Sequence, residues 1–170
     1  TADMELPGKS APWRVALIGA NGMLARKVLA AAPTNAVVTG QGSPAGLLLI
    51  GYPPDALKLG GLGKSLGGDP VAFIDGGHRI SGDEQAPLDR RALGEAIRRM
   101  DRQVSAFAVS GYFAVLNPAH EIEARDLARS LTGKPVSCGH ELSSNLDAPR
   151  RALTVFLNAR LIPLLEELIR

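Results

Sequence analysis

Short aliphatic runs alternate with amphipathic helical stretches along the second half of this chain. Strand-like and helical patterns follow one another at 71–74, 88–100, 104–110, 118–132, 135–138 and 149–169. The helical stretches repeat apolar residues at helical spacing, whereas the other runs are short and continuously apolar, as in buried strands. This alternation predicts an α/β fold with a mixed, partly parallel sheet flanked by helices.

The first half of the chain is less regular. A strand-like run at 46–50 precedes the Gly- and Pro-rich stretch 51–70, which we expect to be a loop with at most one short helix around 55–59. We expect residues 1–170 to form a single α/β domain or a fragment of one. Its parts would be an N-terminal strand or hairpin segment at 1–32, an α/β core at 33–148 and a long helix at 149–170.

The charge and the cysteine content restrict the class of protein. The 170 residues carry 19 Lys and Arg against 17 Asp and Glu, a net charge of +2, without a basic block that would mark a nucleic-acid binder. A single cysteine, Cys138, fits a reducing compartment. No run approaches the ~20 apolar residues that span a bilayer. We therefore expect a cytoplasmic protein that binds neither nucleic acid nor membrane.

Two glycine motifs suggest nucleotide binding, and both are incomplete. Gly19-Ala20-Asn21-Gly22 follows a β-prone run, as in the dinucleotide fingerprint of an NAD(P)-binding reductase, but the acidic residue expected about 20 residues later is missing. An Asn-Gly hairpin is the favoured alternative. Gly63-Lys64-Ser65 matches the end of a P-loop, but Lys58 stands where that motif requires glycine.

Candidate chemistry concentrates in the polar stretch 139–151, between the last strand-like run and the last helix. Loops beyond strand ends are where α/β proteins gather their sites. Cys138, His140 and Glu141 could supply two or three metal ligands, but no local partner completes a set, so we predict a surface-facing pair and no metal site. His120 is interpreted as a helix-start residue. The alternative for the whole stretch is a solvated loop in which Asp147 caps the last helix.

The same stretch belongs to an ordered set of segments: VSAFAVSGYF at 104–113, NPAHE at 117–121, GHELSS at 139–144 and RALTVFLNA at 151–159. With upstream segments at 34–38, 46–51 and 70–77, they resemble the N-terminal region of the hydantoinase A/oxoprolinase family over about residues 33–165. The family's D-x-G-G-T phosphate hairpin has no counterpart before Trp13. Leu29-Ala30-Ala31 replaces the Gly-Thr-Thr expected before Thr34.

The resemblance implies a function and a set of residues. It implies ATP-dependent opening of a cyclic amide, such as a hydantoin or 5-oxoproline, by a chain resembling part of an actin-like (ribonuclease H-like) domain. ATP and Mg would be the cofactors, and the chain would work as a homo-oligomer or with a hydantoinase B-like partner subunit. His140 and Glu141 become candidate catalytic residues, and Thr34, Asn35 and Asn158 would line the substrate or nucleotide cleft.

A non-catalytic assembly module, or a fragment of such an enzyme, is the alternative. The missing phosphate hairpin favours it, and so does the last helix, in which Val155, Ile162 and Ile169 lie outside the main apolar stripe. A helix that is apolar on two sides is typically covered on both.

Overall fold

A computed structural model describes residues 42–169. The predictions for the motif Gly19-Ala20-Asn21-Gly22, and for Thr34 and Asn35, lie outside the described residues.

The centre of the fold is a four-stranded parallel sheet in the order β2-β1-β3-β4. Its strands are β1 (Ala45–Ile50), β2 (Val71–Ile74), β3 (Ala106–Gly111) and β4 (Val136–Cys138). Ile50 pairs with Ile74 on one side and with Gly111 on the other. Because all four described strands run in the same direction, their carboxyl ends meet at one edge. The α/β prediction is confirmed.

Helices connect the strands and cover both faces of the sheet. They are α1 (Leu62–Leu66), α2 (Arg90–Asp101), α3 (Ala119–Thr132), α4 (Gly139–Leu142) and α5 (Ala148–Ile169), with a 3₁₀ turn at Ala56–Lys58. The expectation of at most one short helix within 51–70 was wrong, because α1 follows the 3₁₀ turn. No helix within residues 42–169 is both long and apolar enough to cross a membrane.

Alternate residues of β1 point into two separate apolar clusters. Leu48 and Ile50 pack with the residues of α2 and α3, whereas Leu47 and Leu49 pack with those of α1 and α5. Every residue of β1 is buried. The sheet is therefore covered on both faces, which explains why its strands read as continuous apolar runs rather than as alternating patterns.

The starts of the long helices follow from local sequence. The Asp89 carboxylate accepts a hydrogen bond from the Ala92 N–H at 2.9 Å, which begins α2 as predicted. Asn117 Oδ1 accepts one from the Ala119 N–H at 3.1 Å and begins α3. At its other end α3 stops at Gly133, whose φ of +67° suits glycine.

Candidate functional site

A glycine follows or ends each strand at the carboxyl edge of the sheet. These glycines are Gly51, Gly76, Gly77, Gly111 and Gly139. A Cβ on Gly51, whose φ is +68°, would lie 2.8 Å from the Gly76 carbonyl oxygen, so the ends of β1 and β2 touch backbone to backbone. A Cβ on Gly139 would lie 3.0 Å from Glu121 Oε1. The glycines therefore let buried polar groups and neighbouring backbone approach one another closely.

Tyr52 occupies the switch point between β1 and β3, where ligands of open α/β sheets commonly bind. Its hydroxyl donates to the Ala148 carbonyl oxygen at 2.8 Å and lies 2.8 Å from Ser110 Oγ. Its ring meets Tyr112 edge-on, with 5.2 Å between centroids. Burial raises the pKa of Tyr52 to about 12. This side chain ties β1, β3 and α5 together as a neutral phenol.

Glu121, which is buried, and His140, which is half-buried, form a polar pair beside β3 and β4. Glu121 lies in the first turn of α3 and is fully buried. Its Oε1 accepts a hydrogen bond from the Gly111 N–H at 2.7 Å, and its Oε2 accepts one from the His140 N–H at 2.9 Å. The same Oε2 lies 2.5 Å from His140 Nδ1. One carboxylate therefore joins α3 to the residues that end β3 and follow β4.

Arg151 is the buried cation of the same edge. It lies in the first turn of α5 with 1% of its surface exposed. Its guanidinium donates to the carbonyl oxygens of Asn145 at 2.5 Å, Gly111 at 2.8 Å and Tyr112 at 2.7 Å. The Gly111 N–H thus donates to Glu121, and the Gly111 carbonyl oxygen accepts from Arg151. Within residues 42–169, no carboxylate oxygen lies within 4.0 Å of the Arg151 nitrogens.

His120 fixes a hairpin over the neighbouring part of the edge. Its Nδ1 accepts a hydrogen bond from the Gly77 N–H at 2.9 Å, which leaves the ring proton on Nε2, 2.8 Å from Glu84 Oε1. The His78 ring lies 4.3 Å from the His120 ring, and burial, followed by the electrostatic effect of His120, lowers the pKa of His78. His120 is therefore a buried anchor as well as a helix-start residue.

Glu121, Cys138 and His140 are the one group of possible metal ligands within the described residues, with ligand atoms within 4.8 Å of one another. Cys138 is fully buried, so the prediction of a surface-facing pair was wrong. Burial raises the pKa of the Cys138 thiol, and sulfur is not a ligand that suits Mg²⁺. Mg²⁺ prefers several oxygen ligands, and this group offers one carboxylate that already accepts three N–H contacts. The group does not fit Mg²⁺.

Phosphate groups commonly bind at uncapped helix N-termini. In α2, α3 and α5, the side chains of Asp89, Asn117 and Asp147 each accept a hydrogen bond from one backbone N–H of the first turn. The carboxylates of Asp89 and Asp147 therefore disfavour a phosphate of ATP at the N-termini of α2 and α5.

A family model described as the hydantoinase/oxoprolinase N-terminal region matches residues 30–132. The chain belongs to this family. The resemblance stated from the sequence is thereby confirmed.

Relatives of this hydantoinase/oxoprolinase region include a caprolactamase. The chain is 37% identical over 93 residues to caprolactamase subunit alpha of Pseudomonas jessenii, covering 53% of this chain and 13% of that one. The crystal structure of ATP-dependent caprolactamase from Pseudomonas jessenii superposes with a TM-score of 0.66 at 25% identity, covering 86% of this chain and 26% of that one. The chain thus spans a minor part of the relatives that it matches.

A nucleotide-free acetone carboxylase, studied for ATP-dependent acetone carboxylation, shares the fold. Its TM-score is 0.57 at 17% identity, and the match covers 78% of this chain and 24% of that one. Both solved relatives are described as ATP-dependent. ATP use therefore accompanies this fold in both of them.

The predicted site residues of the hydantoinase/oxoprolinase region lie in different surroundings. His140, in α4, keeps 19% of its side chain exposed and contacts Glu121. Glu141 is exposed and pairs with Arg125 at 3.0 Å. Asn158 is 4% exposed, and its amide donates to Ser137 Oγ at 2.9 Å, between α5 and β4. The structure therefore brings His140 and Asn158 to the two sides of β4 and turns Glu141 towards the surface of α3.

Sequence reasoning did not select Glu121 or Arg151. Glu121 stands three residues before Ala124 and seven before Ala128, both fully buried, so it shares their face of α3. Arg151 stands four residues before the buried Val155 in the same way. The sequence signal for both residues was a charged side chain at helical spacing from buried apolar residues of the same helix.

Proposed function

We propose that this chain is the N-terminal region of a hydrolase that opens a cyclic amide of the hydantoin or 5-oxoproline type in an ATP-dependent reaction. The observation that carries the proposal is the 37% identity to caprolactamase subunit alpha, whose name denotes hydrolysis of a ring amide. The fold of this chain supports it, because the solved ATP-dependent caprolactamase shares that fold.

His140 and Glu141 are the proposed reacting side chains of the carboxyl edge. His140 combines partial exposure with a buried acidic partner, which suits an imidazole that exchanges protons with a bound ligand. Glu141 is the adjacent exposed carboxylate, and Arg125 holds it in place. Both follow β4 at the carboxyl edge, with His140 beside Glu121 and Glu141 beside Arg125.

Asn158, Thr34 and Asn35 complete the proposed cleft. Asn158 would act from behind the sheet, because its amide holds Ser137 and thereby β4, which leads into His140. Thr34 and Asn35 enter the proposal from the family resemblance alone.

ATP and Mg²⁺ are the proposed cofactors of the intact enzyme. The descriptions of both solved relatives support ATP. Since the carboxylates of Asp89 and Asp147 disfavour phosphate and the Glu121 group does not fit Mg²⁺, we place nucleotide binding outside the described residues. A hydantoinase B-like partner subunit, or a second copy of the chain, is the proposed partner, in line with the name subunit alpha of the relative. We propose a cytoplasmic location from the single cysteine.

The test is ring opening by the intact protein together with its partner subunit. Hydantoin, 5-oxoproline and caprolactam would each be incubated with and without ATP and Mg²⁺, and the open-chain product measured by chromatography. We expect ATP-dependent product from at least one ring, and a loss of about 10²–10⁴-fold in kcat for His140→Gln.

A matched pair of carboxylate variants tests Glu141. Glu141→Gln and Glu95→Gln each remove an exposed glutamate paired with an arginine, at 3.0 Å in both cases. Only Glu141→Gln should slow the reaction. If the wild-type protein opens none of the three rings while light scattering shows a stable dimer of the chain, the assembly module replaces the hydrolase.

A further inference from the structure

Glu121 has contacts that determine where the His140 proton lies. The carboxylate accepts two backbone N–H groups, one on each oxygen, from Gly111 and His140. Since both oxygens already accept N–H groups, Oε2 also accepts at the 2.5 Å contact, which places the imidazole proton on Nδ1. In the neutral ring, Nε2 then carries a lone pair and no proton.

The surroundings of His140 keep this arrangement in place. Glu121 is fully buried, so water does not compete for its carboxylate. The His140 N–H and the Nδ1 atom contact the same Oε2, which fixes both the backbone and the ring against one atom. Among residues 42–169, no hydrogen bond to Nε2 occupies the other side of the ring, and part of the side chain reaches solvent.

The other groups around the pair leave the Nδ1 assignment unchanged. Glu141, next in sequence, is engaged with Arg125. The Cys138 thiol donates to the Glu121 backbone carbonyl rather than to the carboxylate. The Arg151 guanidinium bonds Gly111, so the ring of His140 has Glu121 as its own charged partner.

We propose that Glu121 is the positioning residue for His140: it fixes the proton on Nδ1 and leaves Nε2 as the proton acceptor at the carboxyl edge. This inference deepens the proposed function. The catalytic use of Nε2 rests on that function. There, Nε2 would take a proton from a water molecule as the water oxygen bonds to the ring carbonyl carbon. The imidazolium, stabilised by Glu121, would then return the proton to the ring nitrogen as the C–N bond breaks.

The tautomer can be measured directly in the chain. Nitrogen-15 NMR of the histidine rings distinguishes a protonated ring nitrogen from an unprotonated one. We expect His140 to carry its proton on Nδ1 at a pH where the ring is neutral. His120 provides an internal reference, because its Nδ1 accepts from Gly77 and its proton must lie on Nε2. An Nε2 proton on His140 of the wild-type chain would overturn the inference.

The variant Glu121→Gln tests the cause. Both oxygens of Glu121 face N–H groups, so the amide NH₂ of glutamine must oppose one of them. A neutral amide is also a weaker acceptor than a carboxylate, so we expect the Nδ1 preference of His140 to weaken. Glu123→Gln is the matched control, since Glu123 lies two residues along α3 and pairs with Arg90 at the surface. It should leave the His140 spectrum unchanged. If Glu121→Gln fails to fold, the tautomer measured in the wild-type chain alone tests where the His140 proton lies.

Kinetics of the intact enzyme separate this inference from the proposed function. We expect Glu121→Gln to lower kcat about 10²-fold or more with little change in KM, and the double variant with His140→Gln to be no slower than His140→Gln alone. An unchanged kcat and pH profile in Glu121→Gln would refute the positioning role. Absence of ring opening by the wild-type enzyme would refute the proposed function, while the NMR tautomer would still decide where Glu121 holds the proton.

Discussion

Replacing Tyr52 by phenylalanine removes one oxygen atom from the junction of β1, β3 and α5. The lost hydroxyl donates to the Ala148 carbonyl and bonds Ser110 Oγ, both at 2.8 Å and both buried. A hydrogen bond contributes about 0.5–1.5 kcal/mol net, and a buried group left without a partner costs more. We therefore expect Tyr52→Phe to lower the free energy of unfolding by about 1–3 kcal/mol.

Urea unfolding followed by circular dichroism measures this loss. With a urea dependence of about 2 kcal/mol per molar, a loss of about 2 kcal/mol lowers the midpoint by about 1 M. Tyr112→Phe is the control, because Tyr112 belongs to the same edge-on ring pair and its side chain is only half-buried. We expect that control to change stability by less than about 0.5 kcal/mol. Equal losses in the two variants would refute the hydrogen-bond reasoning.

Three further predictions concern the cap of α2, the buried thiol and the buried phenol. Asp89→Ala should cost about 0.5–2 kcal/mol in urea unfolding, because Asp89 accepts from the Ala92 N–H, whereas Asp55→Ala should cost little, because Asp55 makes no such bond. Cys138 should react with a thiol reagent far more slowly in the folded chain than in urea, since burial raises its pKa; equal rates would contradict that burial. The Tyr52 pKa rises from 10.0 to about 12, so the folded chain holds this proton more tightly than the unfolded chain. Its stability should therefore fall between pH 10 and 12, and Tyr52→Phe should show less of this fall.

The sequence predicted the strands and long helices because each carries its own local signal. Strand β2 reads as an isolated apolar run, and α2 has both a periodic apolar face and a capping aspartate. Helix α1 has only five residues, too few to show a period, and glycines with φ of +75° and +58° bound it. It was missed for that reason.

The candidate site was harder to predict, because its contacts depend on how the strands pair. His140 meets Glu121 only because β4 lies beside β3 in the register Val109 to Cys138. That register also places Cys138 in the apolar cluster beneath α3. The sequence had predicted a surface position for this residue. A pattern along the chain does not encode which strand ends become neighbours, and so the carboxylate partner of His140 required the structure.

The parallel order of the strands also bears on how the chain folds. Parallel neighbours cannot be joined by a tight hairpin, so two such strands can pair only when the long crossover segment between them brings them side by side. The central strand pairs Leu47 with Val71 on one side and Ala45 with Ala106 on the other. Contacts so distant in sequence slow the search for the native state, because loop-closure entropy is lost before they form. We expect the β1–β3 pairing, and with it the assembly of the carboxyl edge, to limit the refolding rate.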